Sequence, residues 1–287
     1  MYASFHKLKE CPFSITCNER FFYESSGHRE ALANMLYTVG QRKGMVLVTG
    51  EVGAGKTFLS SMLASRLGPG CRVVKVENPP QSPKQLVKTL ASELGVELGR
   101  ARDKSDIIDR LHDSLVRLNS VGRMVALIVD ESQDLPSGAL EELRLLWNWE
   151  DRGQRLVQIV LIGQPELRQR ILEPRWEPLR QRIVLSYHLR SLTENDTDAY
   201  IDHRIRIAAE EGCEVQFTPD AKKDIHAATN GIPRMINVIC DNALLVGYVK
   251  GTHTITREIV REVLRDMTCW DLQLGEDSDS APTAPKL

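Results

Sequence analysis

The stretch Gly50-Glu51-Val52-Gly53-Ala54-Gly55-Lys56-Thr57, residues 50–57, decides the fold of this chain. It follows the apolar run at 45–49 and precedes a helical pattern over about 55–67. Its glycines let the backbone turn tightly, so that successive N–H groups converge on phosphate oxygens. Lys56 is placed to bind the β- and γ-phosphates of a nucleotide, and the Thr57 hydroxyl to ligate magnesium. We therefore predict a phosphate-binding loop and a nucleotide-contacting segment that extends to Phe58.

Composition narrows the class of protein. The 287 residues are 42% hydrophobic and 26% charged, which is ordinary for a soluble globular protein. The formal net charge of -2 gives no support to a general affinity for nucleic acid. No apolar run approaches the roughly 18 residues that span a bilayer, and charges interrupt the N-terminal segment where a signal peptide is apolar. The six cysteines are scattered, so we expect a cytoplasmic protein with reduced thiols and no transmembrane segment.

Continuous apolar runs alternate with amphipathic helical patterns across residues 28–190. The apolar runs cover 45–49, 123–131 and 156–163, and two further strand patterns cover 72–78, which is rich in β-branched residues, and 182–189. Strands that are apolar throughout are typical of a parallel sheet covered by helices on both faces. We therefore predict an α/β nucleotide-binding domain over 28–190, a three-layer αβα sandwich with five parallel strands.

After Leu192 the pattern changes to four helical segments with no strand between them. Pro219 and Pro233 fall where a first helical residue lies, and glycines follow the helix ends. We expect a small all-helical lid domain over 191–268 and a disordered polar tail over 269–287. Residues 1–27 are expected to form an N-terminal segment that packs on the nucleotide-binding domain.

Two of the predicted strands end in polar residues. The run ALIVDE ends in Asp130 and Glu131, and a later strand is followed by Gln164. The carboxyl ends of parallel strands border the ligand site of an open α/β sheet. Asp130 is therefore predicted to hold magnesium, and Glu131 to polarise a water for attack on the γ-phosphate, as a hydrolase requires. Gln164, on a strand that we place between the other two, either contacts that water or the γ-phosphate or is a turn residue before Pro165.

Three arginines are candidates for contact with the γ-phosphate. Arg180 and Arg182 precede the last strand, from where an arginine can project into a neighbouring subunit and stabilise transition-state charge. Arg234 lies in the first turn of a lid helix, where the helix dipole disfavours a cation, so we expect a functional reason. From the lid it would couple the lid angle to the nucleotide state. The alternative for all three is an ordinary surface arginine, and the choice between Arg182 and Arg180 stays open.

Together these motifs resemble the AAA+ ATPases, specifically the ExeA (GspA) family of secretion- and pilus-associated ATPases. The resemblance covers about residues 1–267 and includes HREAL, VTGEVGAGKT, DESQDL, LIGQPELR, LRQRI and NGIPRMINVICDNALL. It implies a homo-oligomer, a ring or filament, with ATP and Mg²⁺ at the subunit interfaces. It also implies a role for each motif: Walker A for residues 50–57, Walker B for Asp130 and Glu131, sensor 1 for Gln164, arginine finger for Arg182 and sensor 2 for Arg234.

The resemblance also suggests a biological setting. In extent the chain is similar to the short, pilus-type MshM members, because long members continue into a transmembrane helix and a peptidoglycan-binding domain. The expected role is an ATP-driven assembly or remodelling factor that reaches the inner membrane only through a secretion or pilus protein. Two alternatives remain open. The same module is similar to transposition regulators of the TniB and TnsC kind, which assemble on duplex DNA, and a signalling switch that hydrolyses ATP slowly would use the same residues.

Overall fold

A computed structural model describes residues 1–14, 18–99 and 103–275, without the side chains of Glu19 and of residues 268–275. The chain divides into two compact units. One is Glu24–Arg190, and the other combines Met1–Tyr23 with the chain from Ser191 onward. Hydrophobic cores form within each unit.

Strands and helices alternate up to residue 189, after which the chain is mainly helical. The strands are β1 (Met45–Gly50), β2 (Cys71–Val76), β3 (Met124–Val129), β4 (Glu150–Asp151), β5 (Gln154–Arg155), β6 (Val157–Gly163), β7 (Ile183–Leu189), β8 (Gln216–Phe217) and β9 (Thr254–Ile255). The helices are α1 (Tyr2–Phe5), α2 (Ser26–Gly40), α3 (Lys56–Arg66), α4 (Pro83–Glu93), α5 (Lys104–Ser120), α6 (Ser137–Trp147), α7 (Pro165–Leu172), α8 (Glu177–Arg180), α9 (Glu194–Ala208), α10 (Pro219–Thr229), α11 (Pro233–Val249) and α12 (Arg257–Gly275).

Five strands of Glu24–Arg190 form one parallel sheet in the order β2-β3-β6-β1-β7. Every residue of β1 and β6 is buried. Alternate residues of β3 enter opposite cores: Leu127 packs with α4, α5 and α6, and Ile128 packs with α2 and α3. The predicted αβα sandwich with a five-stranded parallel sheet is therefore confirmed. Burial on both faces explains why the central strands β1, β3 and β6 are almost entirely apolar, whereas the edge strands β2 and β7 also carry polar residues.

The strand order determines which loops meet. β6 lies between β1 and β3, because Leu161 pairs with Leu47 on one side and with Val129 on the other. All three strands run in the same direction, so the segments that follow their carboxyl ends lie side by side at one edge of the sheet. This confirms that the strand before Gln164 lies between the strands that precede the phosphate loop and Asp130.

Local sequence accounts for where several helices begin. The side chains of Ser82 and Thr218 cap α4 and α10 by accepting a hydrogen bond from the backbone N–H three residues further on. Pro219 and Pro233 occupy the first positions of α10 and α11, as predicted. A proline is tolerated there because its missing N–H would have no intrahelical partner.

The second unit packs α1 and α9–α12 around one hydrophobic core, with Ile236, Ile239 and Leu244 of α11 buried within it. This unit also contains a feature that the sequence did not predict: β8 and β9 pair in parallel through two residues each. A pairing of this length leaves no alternating pattern in the sequence, and its partners are far apart in the chain.

The N-terminal segment differs from our expectation. Met1–Tyr23 belongs to the helical unit rather than to the unit that contains the sheet. Leu8 is buried in the helical core and forms a β-bridge with Ala209. Arg204 of α9 donates a hydrogen bond to the carbonyl oxygen of Pro12. These contacts hold the segment on the helices, where residues 1–27 were expected on the nucleotide-binding domain.

The boundary that we predicted between the helical domain and the C-terminal tail also differs in the structure. α12 continues to Gly275, so residues 269–275, which we expected in the disordered tail, are helical. Residues 276–287 lie outside the described part of the chain. No helix among the described residues has the length and apolar character needed to cross a membrane. Free thiols occur at Cys11, Cys71, Cys213 and Cys240, while the side chains of Cys17 and Cys269 lie outside the description.

Candidate active site

The loop between β1 and α3 has the geometry of an anion-binding turn. α3 begins at Lys56, and its N-cap residue, Gly55, has no side chain that could cap the first turn. At Gly50 a Cβ atom would lie 2.8 Å from the carbonyl oxygen of Leu189, so β7 leaves no room for a side chain. Free N–H groups at the positive end of a helix are suited to phosphate oxygens.

His28 of α2 packs against this loop, a contact that we did not predict. Its Nδ1 lies 2.7 Å from Ser25 Oγ, and both side chains are buried. Gly55 has a positive φ of 93°, and a Cβ atom there would come within 3.0 Å of His28 Nε2. The position therefore favours glycine for both backbone and steric reasons. The only signal in the sequence was the HREAL segment, to which we had assigned no role.

Lys56 is buried and closes the loop onto itself. Its Nζ donates hydrogen bonds to the carbonyl oxygens of Gly50 and Glu51, each at 2.9 Å. Burial lowers the pKa of Lys56, and the nearby carboxylates of Glu131 and Asp130 oppose that shift. The ammonium group is thus placed to exchange two backbone carbonyls for phosphate oxygens when a nucleotide enters.

Asp130 and Thr57 are the predicted magnesium ligands, and the structure brings them together. Asp130 follows β3 and is buried, and the Thr57 side chain lies close to its carboxyl group. Burial raises the pKa of Asp130, and the Thr57 hydroxyl opposes the rise. One hydroxyl and one carboxylate beside a phosphate loop fit Mg²⁺, which takes one or two protein oxygens together with phosphates and waters. Within the described residues, no cluster of three or more His, Cys, Asp or Glu side chains offers a separate metal centre.

Glu131 lies beside Asp130 and directs its carboxylate toward Gln164. Its backbone is left-handed, with a φ of 47°, and leads into a short 3₁₀ turn, Ser132–Asp134. Glu131 Oε2 accepts hydrogen bonds from Gln164 Nε2 at 3.4 Å and from Gln133 Nε2 at 2.7 Å. Both donors bind the same oxygen, so Oε1 stays available to a water.

The phosphate loop, Asp130, Glu131 and Gln164 therefore meet at one edge of the sheet. Gln133 also belongs to this group, although we had given it no role. Its only signal in the sequence is its place two residues after Glu131 in DESQDL.

Arg182 lies at the opposite end of the sheet from this group. The backbone N–H of Met45, the first residue of β1, donates to the Arg182 carbonyl oxygen at 2.9 Å, whereas the phosphate loop follows the last residue of β1. A strand of this length separates the two ends by roughly 20 Å. Arg182 is therefore too far away to reach a nucleotide held by the loop of its own sheet.

The contacts of the two candidate arginines differ. Arg182 Nε donates to Asn148 Oδ1 at 3.1 Å, and the guanidinium carbon lies 5.7 Å from the centre of the Trp147 ring. Burial lowers the pKa of Arg182, and the nearby cations Arg144 and Arg155 add to this shift. Arg180 instead donates to the Leu172 carbonyl oxygen at 3.1 Å and has no aromatic neighbour among the described ring contacts.

Arg234 belongs to the helical unit. It is exposed in the first turn of α11, directly after Pro233. Gly231 forms the turn before the helix, where a Cβ atom would lie 1.9 Å from the Leu192 carbonyl oxygen. The role of Arg234 as a sensor of the nucleotide remains a prediction.

Comparison with known sequences gives two matches. The AAA domain family model matches residues 39–171. Over 257 residues the chain is 40% identical to general secretion pathway protein A of Aeromonas hydrophila, and this match covers 89% of the chain and 46% of that protein. The chain therefore spans about half the length of this curated relative.

Solved structures share the fold at low sequence identity. Cdc6p from Pyrobaculum aerophilum matches with a TM-score of 0.70 and 16% identity, over 89% of this chain and 70% of that one. The Aeropyrum pernix ORC2 protein, in ADPNP–ADP complexes, matches with a TM-score of 0.66 and 16% identity, over 90% of this chain and 71% of that one. The RuvB Holliday junction branch migration motor of Thermotoga maritima matches with a TM-score of 0.58 and 19% identity, over 91% of this chain and 72% of that one. At these identities the likeness concerns the fold alone.

Proposed function

Because the chain belongs to the AAA+ ATPases related to general secretion pathway protein A, we propose that it binds ATP with Mg²⁺ and hydrolyses the γ-phosphate bond. ATPase activity is a property of this family of domains, and the residues of this chain supply a site for it. The observation that carries the proposal is the Glu131 carboxylate, which is held at one oxygen beside the buried Lys56 and Asp130.

Each residue has a distinct task in this proposal. The backbone N–H groups of residues 50–57 and the N-terminus of α3 bind the phosphates, and Lys56 neutralises part of their charge. Thr57 and Asp130 hold Mg²⁺, which when bound neutralises charge on the phosphate oxygens. Glu131 accepts a proton from the attacking water, and the Gln164 amide orients that carboxylate.

Arg182 acts on the nucleotide of a neighbouring subunit. Its distance of roughly 20 Å from its own phosphate loop excludes a role within the subunit, but the end of a sheet is open to a second copy. A guanidinium brought to the γ-phosphate would stabilise charge in the transition state. Hydrolysis then requires an oligomer, a ring or filament with ATP at its subunit interfaces. In this proposal Arg234 of the helical lid senses whether the bound nucleotide has a γ-phosphate.

We place this cycle in the assembly or remodelling of a secretion or pilus apparatus. The support is the 40% identity to general secretion pathway protein A. We further propose that the chain works in the cytoplasm and reaches the inner membrane by binding a membrane protein of that apparatus. The transposition-type alternative, an oligomer on duplex DNA, gains no specific observation here, and the net charge of -2 does not favour it.

Steady-state ATP turnover across a range of protein concentrations, with and without duplex DNA, tests the proposal. We expect turnover per subunit to rise with protein concentration and to be the same with and without DNA. Glu131→Gln should bind ATP and lower turnover at least about 100-fold, since the general base is lost. Glu211→Gln is the matched control, because Glu211 is an exposed carboxylate of the helical unit. Normal turnover by Glu131→Gln would refute the assignment, and strong DNA stimulation that fades with salt would favour the transposition-type role.

A further inference from the structure

Gln133 connects Glu131 and Gln164, two residues whose relative position matters for the proposed reaction. It lies in the 3₁₀ turn Ser132–Asp134, between the Glu131 carboxylate and the tip of β6. Its Nε2 donates to Glu131 Oε2 at 2.7 Å, and its Oε1 accepts a hydrogen bond from the backbone N–H of Gln164 at 3.0 Å. One side-chain amide therefore joins the base on β3 to the residue that follows β6.

The chemistry of an amide suits this link. A glutamine has both a donor and an acceptor end, and here each end has a partner of the opposite kind. The Gln164 N–H requires an acceptor, so it fixes which end of the amide faces β6 and leaves the NH₂ group facing Glu131. The second N–H of that group donates to Asp134 Oδ2 at 3.2 Å. A glutamate at this position would match the acceptor end but would place a carboxylate against Glu131.

The surrounding structure holds the Gln133 turn in place. Ser132 Oγ donates to the Val129 carbonyl oxygen at 2.8 Å, and Arg170 Nη1 donates to the Gln133 carbonyl oxygen at 3.3 Å. The tip of β6 leaves space for the amide only because residue 163 is glycine. A Cβ atom at Gly163 would lie 2.8 Å from Gln133 Oε1.

We propose that Gln133 is a positioning residue for ATP hydrolysis, which holds the Glu131 carboxylate and ties it to Gln164. This inference rests on the proposed function of Glu131 as general base. Gln133 contacts no phosphate-loop residue through the hydrogen bonds described, so its effect falls on the hydrolytic step and not on nucleotide affinity. It shares its target, Glu131 Oε2, with the Gln164 amide, so the two side chains act on the same oxygen.

Gln133→Ala and Gln133→Glu, measured by kcat, KM, nucleotide Kd and thermal melting, test this role. We expect kcat to fall about 10- to 100-fold in both, because a misplaced base loses much of its catalytic contribution. Nucleotide Kd and melting temperature should stay near the wild-type values.

Three further variants separate the possible outcomes: Gln164→Ala, its combination with Gln133→Ala, and a surface control. Gln133→Ala combined with Gln164→Ala should cost less than the product of the two single effects, because both amides act on one oxygen. Gln216→Ala, at an exposed glutamine of β8 whose side chain contacts Thr254, should change nothing.

The result that overturns the proposal is a wild-type or raised kcat in Gln133→Ala and Gln133→Glu while Glu131→Gln is inactive. A loss of turnover that a higher nucleotide Kd or a lower melting temperature accounts for would also overturn it. If Glu131→Gln itself turns over ATP normally, the general-base assignment fails first, and the role of Gln133 fails with it.

Discussion

Lys56 has two backbone partners within its own loop. Its hydrogen bonds to the carbonyl oxygens of Gly50 and Glu51 offset the free-energy cost of burying its ammonium group. Four carboxylates, of Glu131, Asp130, Glu51 and Glu166, further favour its charged form. The side chain that we propose to bind the phosphates therefore also fixes the conformation of the loop.

Lys56→Ala should weaken ATP binding by about 10- to 100-fold, because a hydrogen bond to a charged group contributes about 1.5–3 kcal/mol. Isothermal titration with a slowly hydrolysed ATP analogue measures the change. Lys43→Ala is the control, since Lys43 is exposed and contacts only the Tyr37 ring and hydroxyl among the described hydrogen bonds and cation–π contacts. Unchanged affinity in Lys56→Ala would contradict the assignment of the loop.

The cysteines should differ sharply in reactivity. Burial raises the pKa of the Cys71 thiol to about 11, and burial also raises the pKa of Cys240 well above its usual value. At pH 8 only about one Cys71 in a thousand is then a thiolate, the form that reacts. Cys11 is exposed. Alkylation with iodoacetamide, followed by peptide mass spectrometry, should label Cys11 first in the folded protein and all three after denaturation. Labelling of Cys71 as fast as Cys11 would contradict this burial.

At the scale of elements, Arg204 holds the N-terminal segment on α9. It is buried, and it donates to the carbonyl oxygens of Pro12 and Ser14 and to the Tyr200 hydroxyl. The Tyr200 hydroxyl in turn donates to Asn237 Oδ1 of α11. All the described hydrogen-bond acceptors of the Arg204 guanidinium are neutral. The buried positive charge is therefore stabilised only by these acceptors acting together.

Arg204→Ala should lower the free energy of unfolding of the helical unit by about 2–4 kcal/mol, because it leaves buried acceptors without a donor. Chemical denaturation, together with hydrogen exchange of residues 1–14, measures the loss. Arg206→Ala on the same helix is the matched control, since Arg206 is exposed and contacts His203. If the two substitutions lower the free energy of unfolding equally, the hydrogen bonds of Arg204 do not stabilise the helical unit.

The elements that could be predicted are those whose signal is local. The central strands β1, β3 and β6 are almost entirely apolar, and Pro219 and Pro233 mark helix starts by their own chemistry. The pairing of β8 with β9 and the hairpin of β4 with β5 could not be predicted. A strand of two residues is too short to show an alternation of hydrophobic and polar residues. Gln133 was missed for a related reason: its role depends on β6 lying beside β3, which the residues around it do not encode.

At the scale of the whole molecule, the predictable part of the site is the part with a motif. The phosphate loop, Asp130 and Glu131 follow from spacing, whereas the contact of His28 with the loop depends on how α2 packs. The N-terminal segment was assigned to the wrong unit because its anchor, Arg204, lies about 190 residues away in the sequence. Contacts between such distant residues are fixed by tertiary packing, which local patterns do not report.

In the proposed mechanism, the position of Arg182 makes ATP hydrolysis depend on an oligomer. Arg182→Ala should leave ATP affinity intact and lower turnover at least about 100-fold in assembled protein, as expected for an arginine supplied in trans. Arg180→Ala, which removes a neighbouring arginine bound to the Leu172 carbonyl, is the matched control. Affinity is measured by titration and turnover by phosphate release. A larger loss in Arg180→Ala would transfer the role to that residue.

Mixing two inactive variants decides whether Arg182 acts between subunits. Glu131→Gln has an intact Arg182, and Arg182→Ala has an intact Glu131, so a head-to-tail interface between them contains one complete site. If the two variants are mixed before ATP is added, about a quarter of the interfaces in a randomly assembled oligomer should be active. Phosphate release should then recover to that fraction of the wild-type rate, although each variant alone is inactive. Failure to recover, with mixed oligomers demonstrated by labelled subunits, would contradict the proposed action of Arg182 between subunits.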